Sequence, residues 1–156
     1  MRKLVTILSG IPGSGKSSFV ERKIEAQPHK AIVTCSADDH FRSETGYVFN
    51  KAELGEAHSA CLVKFTSSLL WEPRAEEEDE ERCLIVDNTN TTALEIAPYA
   101  ALALAFGWEL ELVTFKCAPE TGARRNTHGV SLKTCRNMAS NLDRRILPER
   151  WAKYER

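Results

Sequence analysis

The stretch Gly10-Ile11-Pro12-Gly13-Ser14-Gly15-Lys16-Ser17 decides the fold, because it matches the spacing Gly-x-x-x-x-Gly-Lys-Ser/Thr of a phosphate-binding loop. An apolar run, Leu4–Leu8, precedes it, and a segment of helical period, Ser17–Glu25, follows it. Glycines allow backbone angles and a close approach that a Cβ would block, so successive N–H groups can point at a β-phosphate. The order of strand, loop and helix argues against a glycine turn with a chance lysine. The sequence therefore predicts a nucleoside triphosphate site formed by this loop and Ser18.

Two side chains of the loop and one acid further along the chain predict how a triphosphate and its metal are held. Lys16 would place its charge between the β- and γ-phosphates, and the Ser17 hydroxyl would ligate Mg²⁺. The apolar run 83–86 ends in Asp87, which fits an acid at the end of a neighbouring strand that holds Mg²⁺ directly or through water. The alternative for Asp87 is an acid that caps the next turn.

The rest of the sequence alternates between strand-like and helical patterns. Four apolar runs rich in β-branched residues predict buried strands: Leu4–Leu8, Ala31–Cys35, Cys83–Val86 and Leu110–Phe115. Helical period is found in Ser17–Glu25, Lys51–Trp71, Thr92–Ala105, Glu120–Asn126 and Leu132–Ile146. This alternation predicts an α/β three-layer sandwich of the P-loop NTPase type, with a parallel sheet of about four core strands and helices on both faces. We expect one domain across residues 1–156, with a helical or frayed end at 147–156.

Polar residues at the ends of the second and third predicted strands are candidates for binding a phosphoryl acceptor. Asp38 and Asp39 follow the second strand, and a kinase acting on an alcohol needs an acid there to take the hydroxyl proton. Because side chains alternate along an extended segment, only one of the two would face the acceptor; alternatively, Asp38 caps a turn. Arg42 could contact an anionic group on the acceptor. Asn88 and Asn90 would either face the substrate or form a turn.

Residues 116–146 predict a helical lid and C-terminal helical region. Arg124 and Arg125 lie on a short helical segment, followed by a glycine hinge. Arginines that close over a triphosphate neutralise charge on the transferred group, whereas the alternative is a basic helix exposed to water. The segment 116–156 carries ten Lys and Arg against four Asp and Glu. This excess suits polyphosphate or nucleic-acid ligands.

Composition and charge narrow the class of protein. A hydrophobic content of 42% and a charged content of 28% are ordinary for a globular protein, and no apolar run approaches the ~20 residues of a membrane span. Five widely spaced cysteines without a Cys-x-x-Cys pair favour free thiols in a reducing cytoplasm over disulfides or a zinc site. Six consecutive acids at 76–81 predict an exposed loop or the tip of a helical hairpin. Nothing in the sequence indicates an oligomeric state.

Five motifs in order resemble the polynucleotide-kinase-type P-loop ATPase domains. They are Gly-x-Pro-Gly-Ser-Gly-Lys-Ser (10–17), Ser-Ala-Asp-Asp-His-Phe (36–41), Leu-Gly-Glu-Ala-His (54–58), Ile-Val-Asp-Asn-Thr-Asn (85–90) and Arg-Asn-Thr-His-Gly-Val (125–130). That family includes phage polynucleotide kinase and, more distantly, zeta-type toxins that phosphorylate a UDP-sugar. The resemblance covers residues 3–142 and implies Mg²⁺- and ATP-dependent transfer to a hydroxyl, in the first relatives a nucleic-acid 5′-OH.

The resemblance also implies roles for individual residues. In the family's Asp-x-x-Arg motif, the aspartate is the base and the arginine contacts the phosphate of the acceptor. Asp39 and Arg42 fit this spacing, whereas aligning the two consecutive acids with the family favours Asp38 as the base. Asp39 is therefore the first candidate for the base and Asp38 the second. Arg124 and Arg125 match the family's lid arginines, either of which could bridge the phosphates. The sequence has no counterpart of the family's phosphatase or phosphodiesterase domain, which favours a stand-alone kinase.

Three hypotheses about function follow. The leading one is a polynucleotide 5′-hydroxyl kinase that binds ATP and a nucleic-acid end. The second is a kinase for a nucleotide sugar or another small molecule, because a net charge of −1 and a short chain offer little surface to a long nucleic acid. The third is a nucleotide-dependent binding or regulatory module, with the acidic run at 76–81 as its docking element.

Overall fold

The computed structural model describes residues 2–28, 30–70 and 81–156. The strands are β1 (Lys3–Ser9), β2 (Ala31–Cys35), β3 (Arg42–Ser43), β4 (Gly46–Tyr47), β5 (Arg82–Asp87) and β6 (Glu109–Thr114). The α-helices are α1 (Lys16–Ala26), α2 (Leu54–Leu70), α3 (Ala93–Ala105), α4 (Pro119–Arg125), α5 (Leu132–Arg144) and α6 (Glu149–Ala152). Two 3-10 helices, Ala37–Phe41 and Lys51–Glu53, lie between β2 and α2.

Four of the strands form one parallel sheet in the order β2-β5-β1-β6, and β3 and β4 form a separate short hairpin. Strand β1, which leads into the phosphate loop, lies between β5 and β6. The register pairs Leu8 with Asp87 and Ser9 with Thr114, so the carboxyl ends of the strands meet at one edge. The predicted parallel sheet of four core strands is confirmed.

Alternating side chains of the buried strands build a core on each face of the sheet. The core under α2 and α3 contains Val5, Ile7, Leu84 and Val86. The core under α1 contains Leu8, Val20, Cys83 and Ile85. Because helices cover both faces, the central strands β1 and β5 are nearly continuous apolar runs, whereas β6 at the edge of the main sheet alternates. The predicted three-layer arrangement is confirmed.

Local signals determine where the helices begin. Thr92 and Glu95 form a capping box at the start of α3: Thr92 Oγ1 accepts from Glu95 N at 3.3 Å, and the Glu95 carboxylate accepts from Thr92 N at 2.8 Å. Helix α2, which the pattern predicts from Lys51, begins at Leu54 behind a 3-10 turn. The stripe that α2 buries against the sheet follows the predicted period and consists of Ala57, Cys61, Phe65 and Leu69.

The C-terminal residues continue the sheet instead of fraying. Leu112 N in β6 donates to Tyr154 O at 2.9 Å, and Arg156 N donates to Leu112 O at 2.8 Å. This short extended segment follows α6 and pairs with β6 in a parallel bridge. It therefore covers the edge of β6 that faces away from β1.

Three further predictions concern the cysteines, the acidic run and the absence of a membrane span. All five cysteines are free, as predicted. The acidic run at 76–81 lies outside the described residues except for Glu81, which forms an ion pair with Lys30. No helix within the described ranges has the length and apolar character needed to cross a membrane.

Candidate active site

Each strand of the main sheet delivers one candidate part of the site to the same edge. The phosphate loop follows β1, Asp87 ends β5, and Asp38 and Asp39 follow β2. Helix α4, which carries Arg124 and Arg125, follows β6. This is the carboxyl edge of the parallel strands, where open α/β sheets bind ligands. The fold therefore brings the separately predicted parts to one place.

The phosphate loop has the backbone of an anion-binding loop. Gly13 and Gly15 adopt φ angles of 73° and 102°, which residues with a Cβ rarely adopt. Gly15 is the N-cap of α1 and no side chain caps that end, which leaves N–H groups of the first turn for an anion. Ser14 Oγ is buried and has no hydrogen-bond partner among the described residues. All three features fit a bound triphosphate.

Lys16 folds back over the loop. Its Nζ donates to Gly10 O at 2.8 Å and to Ile11 O at 3.1 Å. Burial lowers the pKa of Lys16, and the carboxylates of Asp87 and Asp38 oppose this shift by favouring the ammonium. Burial raises the pKa of Asp87, and the charge of Lys16 opposes that shift in turn. Lys16 and Asp87 thus stabilise each other's charged form at this edge of the sheet, and Asp38 and Asp39 both add negative charge near Asp87.

Ser17 and Asp87 fit the metal that the loop implies. Ser17 is exposed and Asp87 is half-buried, and both offer oxygen atoms, which Mg²⁺ prefers. No three His, Cys, Asp or Glu side chains form a possible metal site within the part of the chain that the structure describes. Mg²⁺ usually keeps waters and phosphate oxygens as ligands, so a hydroxyl and a carboxylate beside a triphosphate are a suitable donor set.

Asn88 and Asn90 brace the strand ends. Asn88 Oδ1 accepts from Ala37 N at 2.8 Å, and Asn90 Nδ2 donates to Leu8 O at 2.7 Å. The two asparagines are only 8% and 2% exposed. Asn90 also has a positive φ of 42°, which asparagine tolerates better than most residues. Of the two predicted roles for these asparagines, the structure favours turn formation over contact with the substrate. The hydrogen bond from Ala37 to Asn88 also joins the segment after β2 to the segment after β5.

The segment that carries the two candidate acids is a 3-10 helix, Ala37–Phe41, so the predicted extended conformation is wrong. Ser36 is its N-cap, and Ser36 Oγ accepts from Asp38 N at 3.2 Å. Asp38 is therefore not the cap of this turn. The two carboxylates differ because the turn sends them to different neighbours.

Asp38 contacts the β3–β4 hairpin, whereas Asp39 contacts α2. Asp38 Oδ1 accepts from the Tyr47 hydroxyl at 3.0 Å. Burial and the neighbouring Asp38 raise the pKa of Tyr47 to about 12, so the phenol keeps its proton and acts as the donor. Asp39 Oδ2 forms an exposed ion pair with Lys64 at 3.0 Å. Asp38 thus has a hydrogen-bond partner on the hairpin, and Asp39 has an ion-pair partner on α2.

Arg42 lies on the β3–β4 hairpin, opposite Tyr47 in the register. It is exposed, and among the described residues it makes no side-chain hydrogen bond or ion pair. Its charge still favours the ionised forms of Asp87 and Tyr47. The guanidinium is therefore close to the site and available to an anionic group.

Helix α4 packs directly on the phosphate loop through two glycines. A Cβ at Gly13 would lie 2.4 Å from Gly122 O, and a Cβ at Gly122 would lie 2.7 Å from both a backbone oxygen and a side-chain carbon of the loop. An approach this close requires glycine on both sides. Arg124 and Arg125 occupy the last turn of α4 and are exposed. The predicted lid arginines are thus carried by a helix that is anchored to the loop.

The loop that follows α4 contains a residue to which the sequence analysis assigned no role. The Asn126 side chain holds this loop closed, since its Oδ1 accepts from Val130 N at 2.8 Å. Within the loop, the His128 ring lies 4.4 Å from the Tyr47 ring, and His128 Nε2 lies 3.7 Å from Asp38 Oδ2. His128 belongs to the last of the five ordered motifs, but the motif does not indicate which element it contacts.

A cleft of about 500 Å³ opens beside the phosphate loop. Ile11 lines it from the loop, residues 115–118 from the segment before α4, Pro119 from the start of α4, and Ser140 and Asp143 from α5. Small-ligand sites have volumes of about 300–1,000 Å³. The cleft therefore has room for a nucleoside next to the phosphate-binding backbone.

Comparison with known families decides the classification. A family model described as an AAA domain (AAA_33) matches residues 5–129, which is more than half of the chain. The chain belongs to this AAA domain family. Human NEDD4-binding protein 2 is 34% identical to it over 148 residues, a match that covers 90% of the chain and only 8% of that protein's length. The resemblance to P-loop kinase-like domains that the ordered motifs predict is confirmed.

Solved structures show the same fold for this AAA-family chain. One chain of the Pnkp1/Rnl/Hen1 RNA repair complex superposes with a TM-score of 0.66 at 16% identity, covering 92% of this chain and 45% of that one. The APS kinase CysC of Mycobacterium tuberculosis, in complex with AMPPNP and APS, superposes with a TM-score of 0.55 at 21% identity, covering 82% and 70%. The chain therefore has a P-loop kinase-like fold.

The close contact between α4 and the phosphate loop leads to a testable prediction for the AAA-family chain. In Gly122→Ala, the new Cβ would overlap the loop, and we expect the free energy of unfolding to fall by about 1–3 kcal/mol. Nucleotide affinity should fall with it, because the loop and α4 must separate. Urea denaturation and titration with a non-hydrolysable ATP analogue measure the two effects.

Gly55→Ala is the matched control for this substitution. Gly55 lies in α2, and a Cβ there would meet no atom within 4 Å. Alanine at that position should leave stability unchanged or raise it by up to about 1 kcal/mol. Equal stability of the two variants would contradict the tight contact between α4 and the loop.

Proposed function

We propose that this chain is a kinase that transfers the γ-phosphoryl group of ATP to a hydroxyl group, and that its acceptor is the 5′-hydroxyl of a nucleic acid. The observation that carries the proposal is the position of Asp38, which follows β2 at the same edge of the sheet as the phosphate loop and Asp87, and which lies between the Tyr47 hydroxyl and His128. A kinase needs an acid on the acceptor side of the phosphate loop, whereas an ATPase has less need of one.

Asp38 suits the role of base in the proposed reaction. The acceptor oxygen forms a bond to the γ-phosphorus while the bond from that phosphorus to the β,γ-bridging oxygen breaks, and ADP leaves. The acceptor proton passes to Asp38. The Tyr47 hydroxyl donates to one oxygen of this carboxylate and so orients the other. Asp39 is the second candidate, because its carboxylate is occupied by an exposed ion pair with Lys64; this order reverses the one that the Asp-x-x-Arg spacing suggests.

The other predicted residues have complementary roles in the proposal. The N–H groups of the loop and Lys16 bind the β- and γ-phosphates, and Ser17 and Asp87 would hold Mg²⁺. Mg²⁺, when bound, supplies positive charge that neutralises phosphate oxygens. Arg124 or Arg125 adds charge from α4, and the nucleoside occupies the cleft beside Ile11. Arg42 contacts the phosphate next to the acceptor hydroxyl.

Two observations support a nucleic-acid acceptor. The chain shares its fold with a component of a complex described as an RNA repair complex. The segment 116–156, which includes α4, carries ten Lys and Arg against four Asp and Glu, and such an excess attracts phosphates.

A small-molecule acceptor is the second candidate, and a specific observation favours it too. The fold is also shared with an APS kinase bound to a small substrate. The net charge of the whole chain is −1, which weakens long-range attraction of a nucleic acid. Salt separates the two candidates, because each phosphate contact adds about one unit to the slope of log affinity against log salt.

A screen with radiolabelled ATP tests the proposed function. The chain is incubated with Mg²⁺, ATP and, in turn, a 5′-OH DNA, a 5′-OH RNA and a UDP-sugar; the same oligonucleotides with a 5′-phosphate are the control. We expect label on the 5′-OH oligonucleotides and none on the phosphorylated ones. Label on the sugar alone would favour the small-molecule kinase. ATP hydrolysis without transfer to any acceptor would favour a nucleotide-dependent binding module.

The assignment of the base predicts different effects of two similar substitutions. Asp38→Asn keeps the shape of the side chain but removes its basicity, so kcat for transfer should fall by about 100-fold or more while an ATP analogue still binds. Asp39→Asn is the matched control and should keep activity within about threefold of wild type. Steady-state transfer assays measure both. The opposite result, loss in Asp39→Asn alone, would return the role to Asp39.

A further inference from the structure

The loop after α4 contacts the acceptor side of the site. We call residues 126–130 the lid loop. His128 Nε2 lies 3.7 Å from Asp38 Oδ2, and the side chains of the two residues are 29% and 45% exposed. The His128 ring is tilted by 47° against the Tyr47 ring, with the centroids 4.4 Å apart. Both oxygens of Asp38 therefore have a neighbour, the Tyr47 hydroxyl at Oδ1 and His128 at Oδ2.

The lid loop is held firmly to α4, and α4 to the phosphate loop. The Asn126 amide donates to Ala123 O at 2.8 Å and to Val130 O at 3.1 Å, so it closes the lid loop onto the end of the helix. One turn earlier, Gly122 packs against the backbone of the phosphate loop. The position of His128 therefore depends on the position of α4 over the triphosphate site.

We propose that His128 is a positioning residue: it holds the Asp38 carboxylate in the orientation that receives the acceptor proton, and it makes that orientation depend on where α4 lies. The inference rests on the proposed function, because it takes Asp38 as the base. A distance of 3.7 Å lies about 0.5 Å beyond the usual range of a hydrogen bond, and catalytic hydrogen bonds in ligand-free enzymes are often long and tighten in the complex. A small shift of α4 onto bound nucleotide completes the contact.

The first test separates positioning from nucleotide binding. In His128→Ala, kcat for transfer should fall by about 10-fold, because a misdirected base slows the chemical step, while KM for ATP stays within about twofold. His128→Gln should recover part of the loss, since its amide can donate from a similar position. The control is His58→Ala on the exposed face of α2, which should behave as wild type. Wild-type kcat in His128→Ala would overturn the proposal.

The second test asks whether His128 acts through Asp38. When Asp38 is already replaced by Asn, adding His128→Ala should cause no further loss of kcat, because the group that His128 orients is gone. A purely structural role would instead give additive losses and a lower unfolding midpoint in both backgrounds. Additivity would therefore overturn the proposal, and non-additivity supports it.

A third measurement does not depend on the acceptor. The ring resonances of His128 in an NMR spectrum of the full chain should shift in Asp38→Asn and in Tyr47→Phe, and again when a non-hydrolysable ATP analogue binds. If the wild type phosphorylates no acceptor, the proposed function fails. These shifts still decide whether the contact between His128 and Asp38 connects the lid loop to the segment after β2. Resonances unchanged by both substitutions and by nucleotide would overturn the inference.

Discussion

Lys16→Met is expected to remove nearly all phosphoryl transfer, with a decrease in kcat of about 1,000-fold. The Lys16 ammonium is bound to Gly10 O and Ile11 O, directly over the loop where the β- and γ-phosphates are proposed to lie. Methionine has a similar length but no charge, so it cannot neutralise the phosphoryl oxygens in the transition state. Transfer measured at saturating ATP and acceptor reports the change in kcat without a contribution from weaker binding.

The same substitution should not unfold the protein. Burial lowers the pKa of Lys16, which means that holding the ammonium in the folded chain is unfavourable despite the nearby Asp87. A neutral side chain avoids that cost but removes the charge that favours ionised Asp87, so the two effects oppose each other and the free energy of unfolding should change little. Lys64→Met is the matched control: Lys64 pairs with Asp39 at the surface, and its loss should change activity little. If Lys16→Met kept most of its activity, the Lys16 ammonium would have no part in the transfer.

The phosphate loop and the sheet could be predicted because their signals are local. The glycine and lysine spacing at 10–17 is contiguous, and four apolar runs are enough to indicate buried parallel strands. Once the strands are parallel, their carboxyl ends must meet. Asp87 was therefore predicted beside the loop, and the register that pairs it with Leu8 places it there.

The choice between the two acids could not be made from the sequence. It depends on a 3-10 helix of five residues, Ala37–Phe41, which is too short for hydrophobic periodicity to reveal. An extended segment would also direct the side chains of Asp38 and Asp39 to different sides. The two side chains do have different neighbours, but the backbone that separates them is a 3-10 helix. Ser36 is a good N-cap residue, yet the same residue type occurs in many turns, so it does not identify this one.

Contacts between segments that are distant in the chain could not be predicted from the sequence either. Gly13 and Gly122 are far apart in the chain, and only the folded structure shows that each leaves room for the other. His128 could be seen as part of a motif, but its neighbour Asp38 lies on another element. Residue type and spacing predict what a side chain can do, whereas the packing of α4 decides what it touches.

Arg145 is the clearest example of a residue whose contacts cannot be predicted from the sequence. It follows α5, and its side chain is only 3% exposed. Its Nη1 donates to Ser9 Oγ at 2.7 Å and to Asn90 O at 3.0 Å, and its Nη2 donates to Thr114 Oγ1 at 2.9 Å and pairs with Glu155. These partners belong to the ends of β1 and β6, to the turn after β5, and to the C-terminal segment. One guanidinium therefore joins four separate parts of the fold behind the phosphate loop.

Arg145→Met should destabilise the protein more than any other single substitution considered. Loss of the guanidinium leaves the buried Ser9 hydroxyl and the buried Asn90 carbonyl without this donor, which costs about 1–3 kcal/mol for each group, whereas Glu155 is 38% exposed and regains water. For a chain of this size, we expect the unfolding midpoint to fall by roughly 10 °C. Differential scanning calorimetry and urea denaturation measure the loss. The C-terminal segment should also become more accessible, since Glu155 keeps only the Thr114 hydroxyl as a side-chain partner.

Arg144→Met is the matched control, one residue away and of the same type. Arg144 is exposed and its Nε donates to Ser140 O within its own helix, so its loss should change stability by no more than about 0.5 kcal/mol. Glu155→Gln then separates charge from hydrogen bonding: the amide oxygen still accepts from Arg145, so its effect should fall between those of the two arginine variants. Equal unfolding midpoints for Arg145→Met and Arg144→Met would mean that the four parts are held together by the apolar cores alone.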